Sequence, residues 1–171
     1  MIAKIGGRLV AAWGLPSSLF PTTPGAAADA FAALSARLDG VGPGAAADLL
    51  IGILEAFVDE IVAVDEAAAW ARFIVREQLD PTSAFDVIYG LMGPAHGIAC
   101  RLVGIALGKD ADSLEVKLRT FSFLGQGLIF RVAQSLVLKR LGATRIGETE
   151  RIEIKRILGA QIRAILAPGG R

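Results

Sequence analysis

The chain has 171 residues, long enough to bury one sizeable core, so a single main domain is the default expectation. Its residues are 53% apolar and its mean hydropathy is +0.54, but the longest uncharged stretch, residues 9–28, contains Pro16, Pro21 and Pro24, which argues against a membrane-spanning helix. A single cysteine, Cys100, excludes an intrachain disulfide, and we expect a cytoplasmic protein that does not enter membranes.

Charge is distributed unevenly along the chain. Residues 1–100 carry five basic and eleven acidic side chains, whereas residues 101–171 carry thirteen basic and six acidic ones. The basic residues of the second half are interleaved with isoleucine and leucine at helical spacing, and the net charge of the whole chain is only +1, which disfavours nucleic-acid binding. We expect the two halves to pack against each other or against a second copy.

The first 25 residues resemble a secretory signal, since Lys4 and Arg8 precede the apolar run 9–15. That run is at the short limit for such a signal. We therefore favour a short helix over residues 2–13 followed by a Pro-rich linker over 14–25, which leaves residues 26–171 as the helical domain.

Apolar residues recur with a period of 3.6 through the rest of the chain, and no stretch alternates as a strand would. The signals for helix ends agree with that period, for example Gly40 and Gly142 just after two apolar stretches. The predicted helices are 26–39, 45–62, 66–79, 81–107, 113–141 and 148–167. The fold class is therefore all-α, a bundle of six to seven helices without a sheet.

Two of these helices have informative features. Asp80 can cap the helix 81–107, with Pro81 in its first turn, and Pro94 should kink it because proline cannot donate to the carbonyl of Gly90. The helix 113–141 follows a capping-box pattern that begins at Asp112.

The helix 113–141 is apolar nearly all round. One face carries Leu114, Leu118, Phe121, Leu128 and Val132. Another carries Val116, Phe123, Phe130, Val137 and Leu141. Because each face needs a partner, we expect one set of partners within the chain and one outside it.

The residue inventory does not favour an enzyme. Any His-dependent catalytic arrangement would have to use His96, the single histidine. His96 and Cys100 lie four residues apart and share a helix face, but two ligands do not complete a zinc site. The glycine-rich residues 40–44 lack the strand and the Lys-Ser/Thr of a phosphate loop. We therefore predict no catalytic residue, no metal and no cofactor.

A kinked, glycine-rich helix leaves space between helices, and apolar walls with a few polar groups are typical of a small-molecule cavity. The predicted ligand-binding residues are Trp70, Phe73, Tyr89, Met92, His96, Phe123, Gln126 and Phe130. Tyr89 and His96 would orient a small apolar or aromatic ligand through hydrogen bonds, and Met92 would adapt to its shape. The alternative is that these residues close on one another as ordinary core.

Residues 71–86 (ARFIVREQLDPTSAFD) resemble the C-terminal domain of the CecR/CerR-like subgroup of TetR-type regulators. Residues 124–133 (LGQGLIFRVA) are similar to that subgroup's penultimate long helix, and the resemblance covers residues 45–167. It implies an all-helical effector domain that dimerises through its last two long helices and holds a drug- or metabolite-like ligand between its central helices. Residues 1–40 do not match the family's DNA-binding domain, so DNA binding is not implied.

Three hypotheses of function follow, of which the last is an enzyme or a carrier of hydrophobic molecules. The first is the ligand-sensing and dimerisation domain of a TetR-like regulator, which forms a homodimer through residues 113–141 and 148–167 and does not bind nucleic acid alone. The alternative is a stand-alone helical interaction protein that forms mixed dimers with full-length relatives.

Overall fold

A computed structural model describes residues 32, 34–63 and 65–167. The predicted short helix and linker of residues 1–25 lie outside these residues. Six helices can be given bounds within them: α1 (Pro43–Ala63), α2 (Asp65–Leu79), α3 (Ser83–Leu107), α4 (Leu114–Val132), α5 (Gln134–Leu141) and α6 (Glu148–Leu166). These described residues contain no strand, which confirms the all-α prediction.

Helix α1 lies at the centre of the bundle and packs against α2, α3, α4 and α6. Its apolar stripe faces two clusters of buried side chains. We call the larger one the first core cluster: Leu38, Ala46, Leu50, Ile51, Leu54, Ile98, Ala99, Leu102, Val103, Val116, Phe123, Ile162 and Leu166. The second core cluster consists of Val58, Val62, Ile146, Ile154 and Leu158. The period of 3.6 along α1 therefore supplies both cores from one helix.

The start of α3 differs from the prediction. Thr82, not Asp80, is the N-cap residue, and its hydroxyl oxygen accepts a hydrogen bond from the Ala84 N–H at 3.2 Å. The buried carboxylate of Glu77 accepts hydrogen bonds from the Thr82 N–H at 3.0 Å and from the Thr82 hydroxyl at 2.7 Å. These two bonds fix Thr82 in place, and α3 consequently begins at Ser83.

The predicted kink in α3 is confirmed. The segment Ser83–Gly90 is bent by 47° relative to Met92–Leu107. Pro94 lies one turn after Gly90, where its ring removes the backbone donor for that carbonyl. Helix α3 ends at Gly108, whose φ of 62° is a left-handed conformation that glycine adopts without strain.

The predicted helix 113–141 is two helices. Ser113 caps α4, in place of the predicted Asp112, and its hydroxyl accepts from the Val116 N–H at 3.4 Å. The chain then bends by 69° at Ala133, where α5 begins. No proline or glycine causes this bend. Instead it brings Val137 and Leu138 of α5 against the second core cluster, where they pack beside Phe130.

The sequence predicts two apolar faces for residues 113–141, and the structure gives these faces different surroundings. On one face Val116 and Phe123 are buried in the first core cluster. On the other face Leu114 and Phe121 are exposed. Leu141, which a straight helix would place on the buried face, is instead exposed because it lies beyond the bend.

Ion pairs join the acidic first half of the chain to the basic second half. Asp39 pairs with Arg101, Asp48 with Arg163, and Asp59 with both Lys155 and Arg151. The expectation that the two halves pack against each other is thereby confirmed.

Hydropathy and length do not mark any single helix of the described residues as a membrane span. Two bent pairs meet the criteria only when taken together, Ser83–Gly90 with Met92–Leu107 and Leu114–Val132 with Gln134–Leu141.

Candidate functional site

The predicted ligand-binding residues all lie on α2, α3 and α4, three helices that pack against one another pairwise. Phe73 on α2 and Met92 on α3 are half-buried. The side chain of Trp70 lies outside the described residues. The fold therefore brings the three predicted helices together.

The two phenylalanines of α4 that were predicted to bind a ligand pack in different cores. Phe123 is fully buried within the first core cluster, and Phe130 packs against the second. Their burial explains why α4 is held between α1 and its neighbours. It also means that an apolar compound near Phe123 would have to open space among packed side chains.

Gln126 is half-buried on the same helix, and its side-chain oxygen is shielded from solvent. This Oε1 atom has no hydrogen-bond partner among the described residues. A buried acceptor without a donor costs about 1–3 kcal/mol, because its water partners are lost and not replaced. Gln126 can therefore accept a hydrogen bond from a donor brought in from outside the chain.

Tyr89 lies at the surface, with 63% of its area exposed. Its ring stacks on Phe85 at a centroid distance of 6.3 Å and covers Gly93, where an added Cβ would lie 3.7 Å from the tyrosine ring. Because Gly93 has no side chain, the Tyr89 ring can pack over the helix at this position. From this position the tyrosine would reach a ligand only at the open edge of α3.

His96 lies half-buried one turn after the kink, and its ring meets Phe121 of α4 edge to face at 5.4 Å. Burial lowers the pKa of His96, because a charged imidazolium is poorly solvated there. Cys100 follows on the next turn as a free, half-buried thiol. Within the described part of the chain, no three histidine, cysteine or acidic side chains cluster as metal ligands.

One exposed surface stands beside these residues. The side of α4 that faces away from α1 carries apolar residues at spacings of three and four. We call it the exposed face of α4, formed by the exposed residues Leu114, Leu118, Phe121, Gly125 and Val132 together with the half-buried Leu128. The sequence predicted an outside partner for this face. Gly125 was not singled out on this face from the sequence.

Comparison with known proteins gives a family match over most of the helical region. Residues 46–168 match the family described as the C-terminal domain of the HTH-type transcriptional dual regulator CecR. This family is one of transcriptional regulator domains, not of enzymes. The curated protein HTH-type transcriptional dual regulator CecR from Shigella flexneri is 30% identical over 108 residues, which cover 63% of this chain and 48% of that protein. The alignment thus spans about half the length of this relative.

Proposed function

Because the chain belongs to the family of CecR C-terminal domains, within the TetR-type regulators, we propose that it is a dimer-forming, ligand-sensing domain of a transcriptional regulator. The observation that carries this proposal is the exposed face of α4. Large apolar side chains at helical spacing lie there in solvent, and such patches on soluble proteins mark binding surfaces.

The homodimer that we propose uses residues 113–141 and 148–167. On α4, Leu114 and Phe121 are 74% and 58% exposed, and on α6 Ile152 and Ile157 are also exposed. A two-fold interface between identical copies is the commonest way to cover such surfaces, because one patch supplies both sides.

The ligand that we propose is small, apolar or aromatic, and carries a hydrogen-bond donor. The unpaired Oε1 of Gln126 supports the donor. The packing of α2, the kinked α3 and α4 against one another supports a place for the apolar part of the ligand between them, since Phe73 and Met92 on these helices are only half-buried. Tyr89 and His96 would contact the ligand from the α3 side.

Nucleic-acid binding is not part of the proposal for the described helices. Basic side chains of the second half, including Arg101, Lys155 and Arg163, already pair with acidic residues of the first half. We expect no sequence-selective retention of duplex DNA by this chain at physiological salt, only weak and salt-sensitive attraction.

Light scattering over a concentration series tests the dimer. We expect twice the monomer mass at micromolar concentration. A monomer mass throughout that range would contradict the proposal.

Thermal shift tests the ligand class. We expect small aromatic alcohols and amides to raise the melting temperature more than the matched hydrocarbons. Gln126→Leu should abolish that difference, because it removes the acceptor at nearly constant volume. The control Gln161→Leu, at an exposed position of α6, should preserve it. An unchanged difference in Gln126→Leu would contradict a role for this residue.

A further inference from the structure

The exposed face of α4 has no charged residue. Its six positions follow the spacing 4, 3, 4, 3, 4, so they form one straight stripe along the helix. Lys117 lies at the edge of this stripe and is already paired with Asp112. A second copy carries the same charges at the same positions, so a charged face would repel its own copy. Because the exposed face of α4 has no charged residue, two copies can pack on each other through it without like-charge repulsion.

The two glycines of α4 have different surroundings. Gly127 is buried against α1, and a Cβ placed on it would meet the ring of Phe57 at 3.4 Å and Val58 at 3.5 Å. Gly125 is exposed, and a Cβ placed on it would meet nothing within 4 Å. Glycine in a helix interior is less favourable than alanine by about 0.5–1 kcal/mol. At Gly127 the close packing against α1 compensates for this cost of glycine. At Gly125 no contact within the chain does so.

The order of residues on the exposed face is self-complementary. When two antiparallel copies of α4 meet at a two-fold axis level with residue 123, Leu114 lies opposite Val132 and Leu118 lies opposite Leu128. The same axis places Phe121, the largest side chain of the face, opposite Gly125, the smallest. Since a two-fold interface repeats each contact, the phenylalanine and the glycine meet twice.

We propose that a second copy of this chain packs antiparallel on the exposed face of α4, with Phe121 of each copy filling the space above Gly125 of the other. This inference rests on the proposed dimer and specifies its register. Phe57 over Gly127 is the same kind of contact made within one chain. The His96 ring, which already touches Phe121 from the side, would be enclosed by the partner.

Exchanging the two residues tests the register. Phe121→Gly leaves two glycines opposite each other, and Gly125→Phe leaves two phenylalanines opposite each other. We expect each single variant to weaken dimerisation by at least about a hundredfold, as loss of a central aromatic contact does at other interfaces. The double variant Phe121→Gly/Gly125→Phe restores one phenylalanine against one glycine. Its dissociation constant should return to within about tenfold of the original.

Sedimentation velocity over a concentration series measures these constants, and circular dichroism checks that each variant is helical. Leu79→Ala is the control, because Leu79 is an exposed apolar residue outside α4. It should leave the dissociation constant unchanged. Single variants that still dimerise normally, or a folded double variant as weak as Gly125→Phe, would overturn the register. A wild-type monomer at all concentrations would overturn the dimer itself.

Disulfide cross-linking gives a second readout that does not depend on the exchanged residues. In a Cys100→Ser background, one preparation carries Leu118→Cys and the other carries Leu128→Cys. After mixing, oxidation should link the two preparations to each other, whereas each alone should stay unlinked, because only unlike positions are opposite in this register. Linkage within the Leu118→Cys preparation alone would overturn the proposal.

Discussion

Gly104 occupies a position where the backbone after α3 folds back onto the helix. A Cβ placed on it would lie 2.8 Å from the carbonyl oxygen of Lys109 and 3.2 Å from the backbone of Ala111. Both neighbours are main-chain atoms, and the Lys109 N–H is bonded to the Gly104 carbonyl at 2.9 Å, so they cannot move without breaking the turn.

We expect Gly104→Ala to lower the free energy of unfolding by about 1–3 kcal/mol, the usual effect of overpacking. Gly97→Ala in the same helix is the matched control. Its Cβ would meet nothing within 4 Å, and it should stabilise the protein by about 0.5–1 kcal/mol through helix propensity. Urea denaturation of both variants measures the difference, and equal effects would contradict the close approach at Gly104.

Glu77 acts as a buried acceptor for the residue that caps α3. The hydrogen bonds from the side chain and the backbone of Thr82 hold the pKa of Glu77 below its usual value of 4.5. Because the folded-state pKa is depressed, the carboxylate stabilises the fold above pH 4.5 and loses this contribution as pH falls through the lower, folded-state value.

Glu77→Gln should therefore lower the melting temperature at neutral pH, and the difference from wild type should narrow on acidification. Melting curves between about pH 7 and pH 3 measure this change. Asp80→Asn is the control from the same turn, because Asp80 is exposed and does not cap α3. A larger effect at Asp80 than at Glu77 would show that the capping assignment is wrong.

At the scale of the helices, the period of the apolar residues predicted α1, α2, α3 and α6, but it merged α4 and α5 into one helix. The predictions 66–79 and 148–167 agree within one residue with Asp65–Leu79 and Glu148–Leu166. The N-caps of α3 and α4 were predicted two residues and one residue too early. Asp, Thr and Ser are all good N-caps, so the residue that caps a helix depends on the contacts that each candidate makes in the folded chain. For α3 these contacts are the hydrogen bonds between Thr82 and the buried Glu77.

The bend at Ala133 could not be predicted from local sequence. Residues 130–136 contain neither glycine nor proline, and a straight helix satisfies the local propensities equally well. The bend follows from burial: it allows Val137 and Leu138 to reach the second core cluster, formed by α1, α6 and the connection before α6.

Two leucines of α5 test this explanation with the same substitution. Leu138→Ala should destabilise the protein by about 2 kcal/mol and speed amide hydrogen exchange in α5, because Leu138 packs on the second core cluster. Leu136→Ala should change stability by less than about 0.5 kcal/mol, since Leu136 is 70% exposed. Urea denaturation and hydrogen exchange measure both. Similar effects of the two variants would contradict burial as the cause of the bend.

For the whole molecule, the sequence indicated which helices meet at the candidate site but not which way each side chain points. Phe123 and Tyr89 are both aromatic residues at helical spacing, yet one is fully buried and the other largely exposed. Gly125 and Gly127 are two residues apart and differ in the same way. The burial of a side chain depends on how its helix is rotated against α1. Local sequence patterns do not determine this rotation for a helix that is apolar all round, such as α4.

The uneven charge distribution led to a prediction that the structure tests directly. The acidic first half and the basic second half are joined by ion pairs with defined distances. Asp59 of α1 lies 2.8 Å from Lys155 and 3.8 Å from Arg151, both on α6. Asp48 joins the same two helices through Arg163, but both of these side chains are more than 60% exposed. Attraction at Asp59 is therefore less screened by solvent than attraction at Asp48.

We expect Asp59→Asn to lower the free energy of unfolding by up to about 1 kcal/mol at low salt, since it leaves two basic side chains without their acidic partner. Asp48→Asn, the same substitution between the same helices, should have almost no effect. At about 1 M NaCl the difference between the two variants should disappear, because charges are then screened beyond about 3 Å. Urea denaturation at both salt concentrations measures these values. If Asp59→Asn were as harmless as Asp48→Asn at low salt, ion pairing would not be what holds α6 to α1, and apolar packing in the two core clusters alone would account for the contact.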